Sequence, residues 1–223
     1  MRIRRTLAAA SLAAIALTGA AVAPAQASGA AVLTQGSASG PAIAVGDTLV
    51  ANLAAGTAAT FTNGPGSTSG VSCASSSFSA TVTSNPAAPG SATEQLNSQS
   101  FGSCTSNVFG VRSVKSVTAT SLPYSNTVTS GSGTNVSLNG TGAGPVGITV
   151  VLNTLLGTVN CVYQSPGGIV GSTSNTGNSI SFSNQPANLV SGPGLCFSTG
   201  YFSATYGPVT DTSAAGNPVL YVN

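Results

Sequence analysis

Few side chains in this 223-residue chain could support catalysis. The chain contains no histidine, five basic residues, three acidic residues and four cysteines. Histidine is the usual general base for a serine or cysteine nucleophile, so its absence removes the commonest hydrolytic arrangements. The nucleophile-elbow pattern Gly-x-Ser-x-Gly is also absent, because GSASG at 36–40 and GSTSG at 66–70 have Ala38 and Thr68 at the centre. Lys115 could serve as the base of a Ser/Lys dyad, but a solvated strand lysine near Arg112 fits the pattern better.

The three carboxylates are Asp47, Glu94 and Asp211. A glycosidase needs two carboxylates across the sugar, and a calcium site could combine three with carbonyl oxygens. Asp47 and Asp211 lie in turn-like stretches, whereas Glu94 follows Pro89-Gly90 and is predicted to be solvated. No phosphate-binding glycine loop is present. The sequence therefore predicts a protein that is not an enzyme and has no metal site and no cofactor.

The four cysteines are Cys73, Cys104, Cys161 and Cys196. An even count in an exported chain predicts two disulfides, with three possible connectivities. Zinc is disfavoured because there is no Cys-x-x-Cys and no histidine. We favour Cys73–Cys104 and Cys161–Cys196, because each pair joins the ends of a local β segment. Each bond would stabilise the fold by about 3–4 kcal/mol in the chain-entropy account.

The N-terminus has the features of a secretory signal peptide over residues 1–27. Arg2, Arg4 and Arg5 precede an apolar run over 7–22, and Ala25-Gln26-Ala27 forms a small-x-small cleavage site. The run is shorter than the roughly 20 apolar residues of a membrane span, so we predict cleavage rather than a transmembrane anchor. Arg4-Arg5 leaves both Sec and twin-arginine export open. We expect the mature chain to be secreted, extracellular or loosely associated with the cell wall.

Cleavage removes most of the positive charge. Only Arg112 and Lys115 remain, against three carboxylates, which gives a formal charge of −1. Binding to nucleic acid requires several cations that neutralise phosphates. The sequence therefore predicts no nucleic-acid partner.

The pattern of the mature chain predicts an all-β protein. Short apolar alternations recur between Gly, Pro, Ser and Asn, and no stretch keeps a helical period. Residues 126–129 and 135–138 flank Gly131-Ser132-Gly133 as a hairpin. We expect an antiparallel β-sandwich, immunoglobulin-like or jelly-roll-like, as one body or two packed β lobes, stapled by two disulfides.

The predicted organisation has three parts. Residues 1–27 form the cleaved signal peptide, 28–44 a small-residue linker or edge segment, and 45–223 the all-β domain. A sub-boundary, if there is one, falls near 123–140. The Gly/Ser/Asn-rich stretch 165–178 is predicted to be a long exposed loop.

A short motif occurs twice in the sequence, in two predicted strands. CASSSFSATV begins at Cys73 and CFSTGYFSATY at Cys196, and both contain Phe-Ser-Ala-Thr. The cysteine lies five residues before Phe78 but six before Phe202, so the two stretches do not superpose as one repeat. We interpret them as two strands with Phe and Ala facing inward.

The order of these motifs resembles a group of small secreted actinomycete proteins of uncharacterised function, which bear signal peptides and two disulfides. The resemblance covers roughly 71–223 and implies a disulfide-bonded β fold, with no site. The motifs that carry it are Ser72-Cys73, Phe78–Val82, Phe101–Cys104, Leu122–Tyr124, Thr158–Cys161, Cys196 and Tyr201–Tyr206.

Two functions fit the sequence. The first is a secreted, non-enzymatic protein with a structural or interaction role at the cell exterior, whose partner is cell-wall polymer, another surface protein or a second copy. The alternative is a secreted small-ligand carrier, since the ending over 211–223 resembles that of the chromoprotein apoproteins, which are two-disulfide sandwiches. A concave apolar pocket with a few polar groups would favour the carrier.

Overall fold

Fifteen β-strands and no helix occur in the residues described by the computed structural model, 30–131 and 133–223. The predicted signal peptide, 1–27, lies outside these residues. The strands are β1 (Leu33–Gln35), β2 (Thr48–Asn52), β3 (Ala59–Thr62), β4 (Gly70–Ser84), β5 (Ser91–Ser106), β6 (Val111–Thr120), β7 (Tyr124–Thr129), β8 (Thr134–Asn139), β9 (Val146–Thr154), β10 (Gly157–Ser165), β11 (Ile169–Ser174), β12 (Ser179–Ser191), β13 (Thr199–Tyr206), β14 (Thr210–Asp211) and β15 (Leu220–Val222).

Eight of these strands close an antiparallel barrel. They pair in the order β11-β8-β7-β5-β4-β3-β13-β12, and β12 pairs again with β11. The all-β, antiparallel class is thus confirmed. The pairing corresponds to a barrel with added strands more closely than to the expected sandwich. Closure leaves no free edges among these eight strands, which is one solution to the hazard of unpaired edges.

The remaining strands extend or cover the barrel. A sheet of β10, β9 and β6 continues outward from the far half of β12. β2 pairs with β4 and β14, while β1 and β15 form a separate two-stranded sheet. Because β4 and β12 have 15 and 13 residues, each pairs both within the barrel and with one of these added strands, β2 for β4 and β10 for β12.

Alternation of small apolar and polar residues determines which face of each strand is buried. In β4, Phe78, Ala80 and Val82 are buried, and the intervening Ser79 and Thr81 are less so. In β13, Ala204 and Tyr206 are buried in the same way. The interpretation of the two Phe-Ser-Ala-Thr stretches as separate strands with an inward apolar face is confirmed.

Two local predictions had different outcomes. The hairpin around Gly131 and Gly133 is confirmed as β7–β8, which pair antiparallel from Val128 and Val136 outward. The prediction of an exposed loop over 165–178 is wrong in its middle, because β11 lies there and closes the barrel. The Ser and Gly residues that suggested a loop are tolerated because β11 pairs with a strand on both sides.

Both predicted disulfides are present, and they join the favoured pairs. Cys73 and Cys104 face each other across β4 and β5, with Cα atoms 3.9 Å apart. Cys161 on β10 is bonded to Cys196 in the connection between β12 and β13, with Cα atoms 5.6 Å apart. Within the described part of the chain, no helix is long and apolar enough to cross a membrane.

Candidate functional site

A cavity of about 90 Å³ lies inside the barrel. Its wall is contributed by the eight barrel strands together with β6, β9 and the end of β10. The lining is mainly apolar and rich in aromatic rings: Phe61, Phe78, Phe101, Phe182, Phe202, Tyr124 and Tyr206. A concave apolar chamber of this kind is the usual form of a small-molecule site.

The aromatic rings are held by edge-on contacts with one another. The Phe101 and Phe202 rings are 6.3 Å apart and nearly perpendicular, and the Phe78 and Tyr206 rings are 5.3 Å apart at 72°. Such contacts bring the positive edge of one ring to the negative face of another. Gly200 is needed for this packing, because a Cβ there would overlap the Phe61 ring. The rings therefore form a defined wall rather than a collapsed core.

Two polar groups, Glu94 and Asn126, face this apolar chamber from neighbouring strands. They are direct cross-strand partners on β5 and β7 and are 4% and 5% exposed. Asn126 Nδ2 donates a 2.8 Å hydrogen bond to Glu94 Oε2. Asn126 Oδ1 is buried and has no hydrogen-bond partner among the described residues. We call Glu94 and Asn126 the open pair, because the Asn126 amide donates to Glu94 through its nitrogen while its oxygen stays without a partner.

The open pair interrupts an apolar row that runs around the barrel. Following the strand register, Val82 faces Glu94, Asn126 faces Leu138, and Leu138 faces Ile169. All five side chains are buried. Unpaired buried polar atoms cost roughly 1–3 kcal/mol each, so a fold selected only for stability would place apolar side chains here.

The surroundings of Glu94 disfavour its charge. Burial raises the pKa of the Glu94 carboxyl above its ordinary value, and the hydrogen bond from Asn126 offsets this only in part. The two basic residues of the described chain, Arg112 and Lys115, are exposed on β6 and do not line the cavity. The carboxyl is therefore buried without a cation beside it.

A second set of polar side chains at the cavity wall forms hydrogen bonds within the set. Gln99 Nε2 donates to Ser76 Oγ at 2.7 Å and to Tyr206 OH at 2.9 Å. Ser76 Oγ donates its one proton to the Ser100 carbonyl at 2.6 Å. Tyr206 OH lies 2.9 Å from Ser76 Oγ and therefore donates its proton to that oxygen. We call Ser76, Gln99 and Tyr206 the closed cluster. Burial raises the pKa of Tyr206 to about 12, so its hydroxyl remains a donor at neutral pH.

The predicted site residues occupy different places. None of the four cysteines lines the large cavity; Cys161 and Cys196 border a separate void of about 20 Å³. Asp47 is half-buried and caps its own turn, since Asp47 Oδ2 accepts from the Ala44 N–H at 2.8 Å. In the part of the chain that the structure describes, no group of three His, Cys, Asp or Glu side chains could hold a metal ion.

Two carboxylates differ from their predicted environments. Glu94, predicted to be solvated, is buried in the cavity wall. Asp211, predicted to lie in a turn, is fully buried at the end of β14, where Asp211 Oδ1 accepts from the Ser213 N–H at 2.9 Å. A signal for Glu94 was available, because it shares strand parity with Ala92 and Leu96 and so falls on the apolar face of β5.

Comparisons with protein-family models, with curated proteins and with solved structures found no match to this chain. The resemblance to actinomycete secreted proteins therefore stays a prediction.

Proposed function

We propose that this protein is a secreted carrier that binds a compact apolar molecule inside its β-barrel. The observation that carries the proposal is an apolar cavity whose wall includes Asn126, a buried side chain whose amide oxygen has no hydrogen-bond partner among the described residues. Of the two functions that fit the sequence, the carrier is the one that requires such a pocket. The two disulfides are consistent with an extracellular location.

The size of the cavity limits the ligand. A volume of about 90 Å³ is smaller than the roughly 150 Å³ of an engineered cavity that binds benzene. It is also well below the roughly 300 Å³ at which sites for drug-sized molecules begin. The fitting ligand is a single small ring or a short branched chain, and a large antibiotic chromophore of the kind held by the chromoprotein apoproteins is too big.

Ordered water alone is a poor occupant of this chamber. At roughly 10–15 Å³ per molecule the cavity has room for about six waters, each of which needs two to four polar partners. The open pair can serve one or two of them, and the closed cluster already uses its groups internally. Most of the volume therefore suits apolar atoms.

The open pair specifies the polar end of the ligand. Asn126 Oδ1 can only accept a hydrogen bond, so the complementary group is a donor. A hydroxyl or an amine would satisfy this oxygen and lie beside the Glu94 carboxyl, whereas a carboxylate would bring a second acceptor to the same place. The proposed ligand class is a small apolar alcohol or amine.

A matched series of probes tests the proposal. Cyclobutanol, cyclobutylamine, methylcyclobutane and cyclobutanecarboxylate share one small ring and differ in the head group. Cyclobutanol and cyclobutylamine are expected to raise Tm in proportion to the logarithm of their concentration, with binding free energies of about 4–7 kcal/mol. Methylcyclobutane should act more weakly, and cyclobutanecarboxylate should not bind at pH 7.

The control fills the chamber. Ala187→Leu adds volume to the cavity wall and should remove the response to all four probes while near-ultraviolet circular dichroism remains native. If none of the probes changes Tm or the amide shifts of the lining residues up to its solubility limit, the carrier is excluded. The structural or interaction role would then be the better proposal, with retention on cell-wall polymer as its own assay.

A further inference from the structure

Two exposed apolar turns lie side by side at one end of the molecule. Phe109 is 96% exposed on the turn between β5 and β6, and Leu155 and Leu156 are 64% and 100% exposed on the turn between β9 and β10. The turns are neighbours because Val111, just after the first turn, pairs with Thr154, just before the second. We call Phe109, Leu155 and Leu156 the apolar tip.

The two turns of the apolar tip lie close in sequence to both disulfides. Cys104 lies five residues before Phe109, and Cys161 lies five residues after Leu156, and each belongs to a different disulfide. Val108, beside Phe109, packs in the small void that Cys161 and Cys196 border. The turns are thus held in place while their apolar side chains remain in water. Large apolar groups left exposed on a rigid support mark an interaction surface.

Both basic residues of the described chain flank the apolar tip. Arg112 and Lys115 are exposed on β6, three and six residues after Phe109. Each is the extra residue where the register with β9 shifts, between Val111 and Ser113 and between Val114 and Ser116. Such bulges and charges can blunt an edge strand, and β6 ends its sheet. Edge protection does not account for the three exposed apolar side chains beside them.

We propose that the apolar tip docks on an anionic lipid bilayer. Phe109, Leu155 and Leu156 would enter the boundary between head groups and acyl chains, and Arg112 and Lys115 would lie among the acidic head groups. Apolar insertion and electrostatic attraction add in interfacial binding, and each basic residue contributes about fivefold near an anionic surface. The proposal does not rest on the ligand cavity.

Two other occupants fit the surface less well. A second copy would bring its own Arg112 and Lys115 against the first pair, and the described chain has no fully exposed acidic side chain to meet them, since Asp47 is half-buried and Glu94 and Asp211 are buried. A polyanionic wall polymer would match the two cations, but it has no apolar phase for the exposed leucines and phenylalanine. Of these three occupants, only a lipid surface matches both the apolar tip and the two basic residues that flank it.

Vesicle sedimentation tests the proposal on the chain from residue 28 onward, which contains every described strand. Phosphatidylcholine vesicles with 30% phosphatidylglycerol are compared with pure phosphatidylcholine in 20 mM salt. We expect the partition coefficient on the anionic vesicles to be about 10- to 30-fold higher than on the neutral ones. It should fall at least fivefold in 500 mM salt.

Three variants separate the contributions. Phe109→Ser with Leu156→Ser should lower the partition coefficient at least tenfold on anionic vesicles. Arg112→Gln with Lys115→Gln should abolish the preference for anionic vesicles. Val45→Ser removes an apolar side chain that is 65% exposed, about as accessible as Leu155, near the opposite end of β4, and should change nothing.

Three results would overturn the proposal. The first is equal sedimentation of the unmodified chain with and without anionic vesicles, and the second is full binding by the Phe109/Leu156 variant. The third is a dimer in light scattering that the same variant converts to a monomer, because this would assign the apolar tip to self-association.

Discussion

The open pair and the closed cluster line the same cavity, yet they are built in opposite ways. In the closed cluster, Gln99, Ser76 and Tyr206 donate and accept among themselves and to one backbone carbonyl. In the open pair, one hydrogen bond joins Glu94 to Asn126, and Asn126 Oδ1 has no partner in the described residues. Burial is similar for Glu94, Ser76 and Tyr206, which are 4%, 4% and 2% exposed, whereas Gln99 is half-buried. Between the fully buried members, the difference lies in hydrogen bonding.

The difference in hydrogen bonding suits the closed cluster to stability and the open pair to recognition. A fully satisfied buried network rigidifies a core, whereas a partly satisfied one is a local cost that persists at functional sites. We infer that the closed cluster supports the aromatic wall and that the open pair is available to a ligand. Four experiments can break or sharpen this division.

The largest effect is expected on ligand affinity. Asn126→Leu removes the open acceptor and should weaken cyclobutanol binding by about 10- to 100-fold, the range for one buried hydrogen bond. Gln99→Leu alters the closed cluster at similar volume and should change the affinity less than about threefold, since Ser76 and Tyr206 still bond each other. Isothermal titration measures both, and equal losses would erase the distinction.

Loss of a hydroxyl from the closed cluster should lower stability. Tyr206→Phe keeps the contact with Phe78 but removes a partner of Ser76 and Gln99, so the free energy of unfolding should fall by about 1–2 kcal/mol. Urea unfolding measures it. Tyr221→Phe is the control, because Tyr221 is partly exposed and its hydroxyl makes no hydrogen bond within the described chain; it should stay within about 0.5 kcal/mol. A smaller loss for Tyr206→Phe than for Tyr221→Phe would contradict the assignment.

Removal of both members of the open pair should raise stability. Glu94→Met combined with Asn126→Leu replaces two polar groups by apolar ones of similar length, and we expect about 1 kcal/mol of added stability. Glu94→Met alone should be less stable than the double variant, because it leaves the Asn126 amide without its partner. A double-mutant cycle by urea unfolding gives the coupling. A double variant that is several kcal/mol less stable would show that the pair is structural.

The smallest effect is a pH dependence. Because burial raises the pKa of Glu94 above its ordinary value of 4.5, the folded chain keeps this proton to higher pH than the unfolded chain does. The free energy of unfolding is then largest below pH 4.5 and declines as pH rises towards the folded-state pKa. Glu94→Gln should flatten the profile between pH 4 and 8, while Asp47→Asn, at a turn outside the cavity, should leave the decline in place. If the free energy of unfolding of the wild-type chain increases with pH across this range, the prediction is wrong.

Much of the fold follows from local pattern. The period-two alternation of Phe78, Ala80 and Val82 predicts a strand and its buried face. Glycines 131 and 133 predict the β7–β8 turn. Cysteines at the ends of local β segments predict their partners. Each of these depends on residues near one another in sequence, so the chain alone carries the information.

Barrel closure was not predictable in the same way. It depends on β11, a Ser- and Gly-containing segment with little strand propensity of its own, which pairs with β8 on one side and β12 on the other. The burial of Glu94 has a similar origin. Its parity on β5 is visible in the sequence, but the choice between an inward and an outward face depends on pairing with β4 and β7, whose facing residues Val82 and Asn126 lie 12 and 32 residues away.

Residue types alone excluded the chemistry that depends on histidine and on clustered charge, and they indicated an antiparallel β protein held by two disulfides. Pairing between distant strands decided whether those strands would form a sandwich or close a barrel. The same pairing placed Asn126 directly opposite Glu94 and left one amide oxygen unsatisfied in an apolar chamber. The physical reason is that alternation is a property of one strand, whereas a cavity and the hydrogen bonds within it exist only after several strands meet.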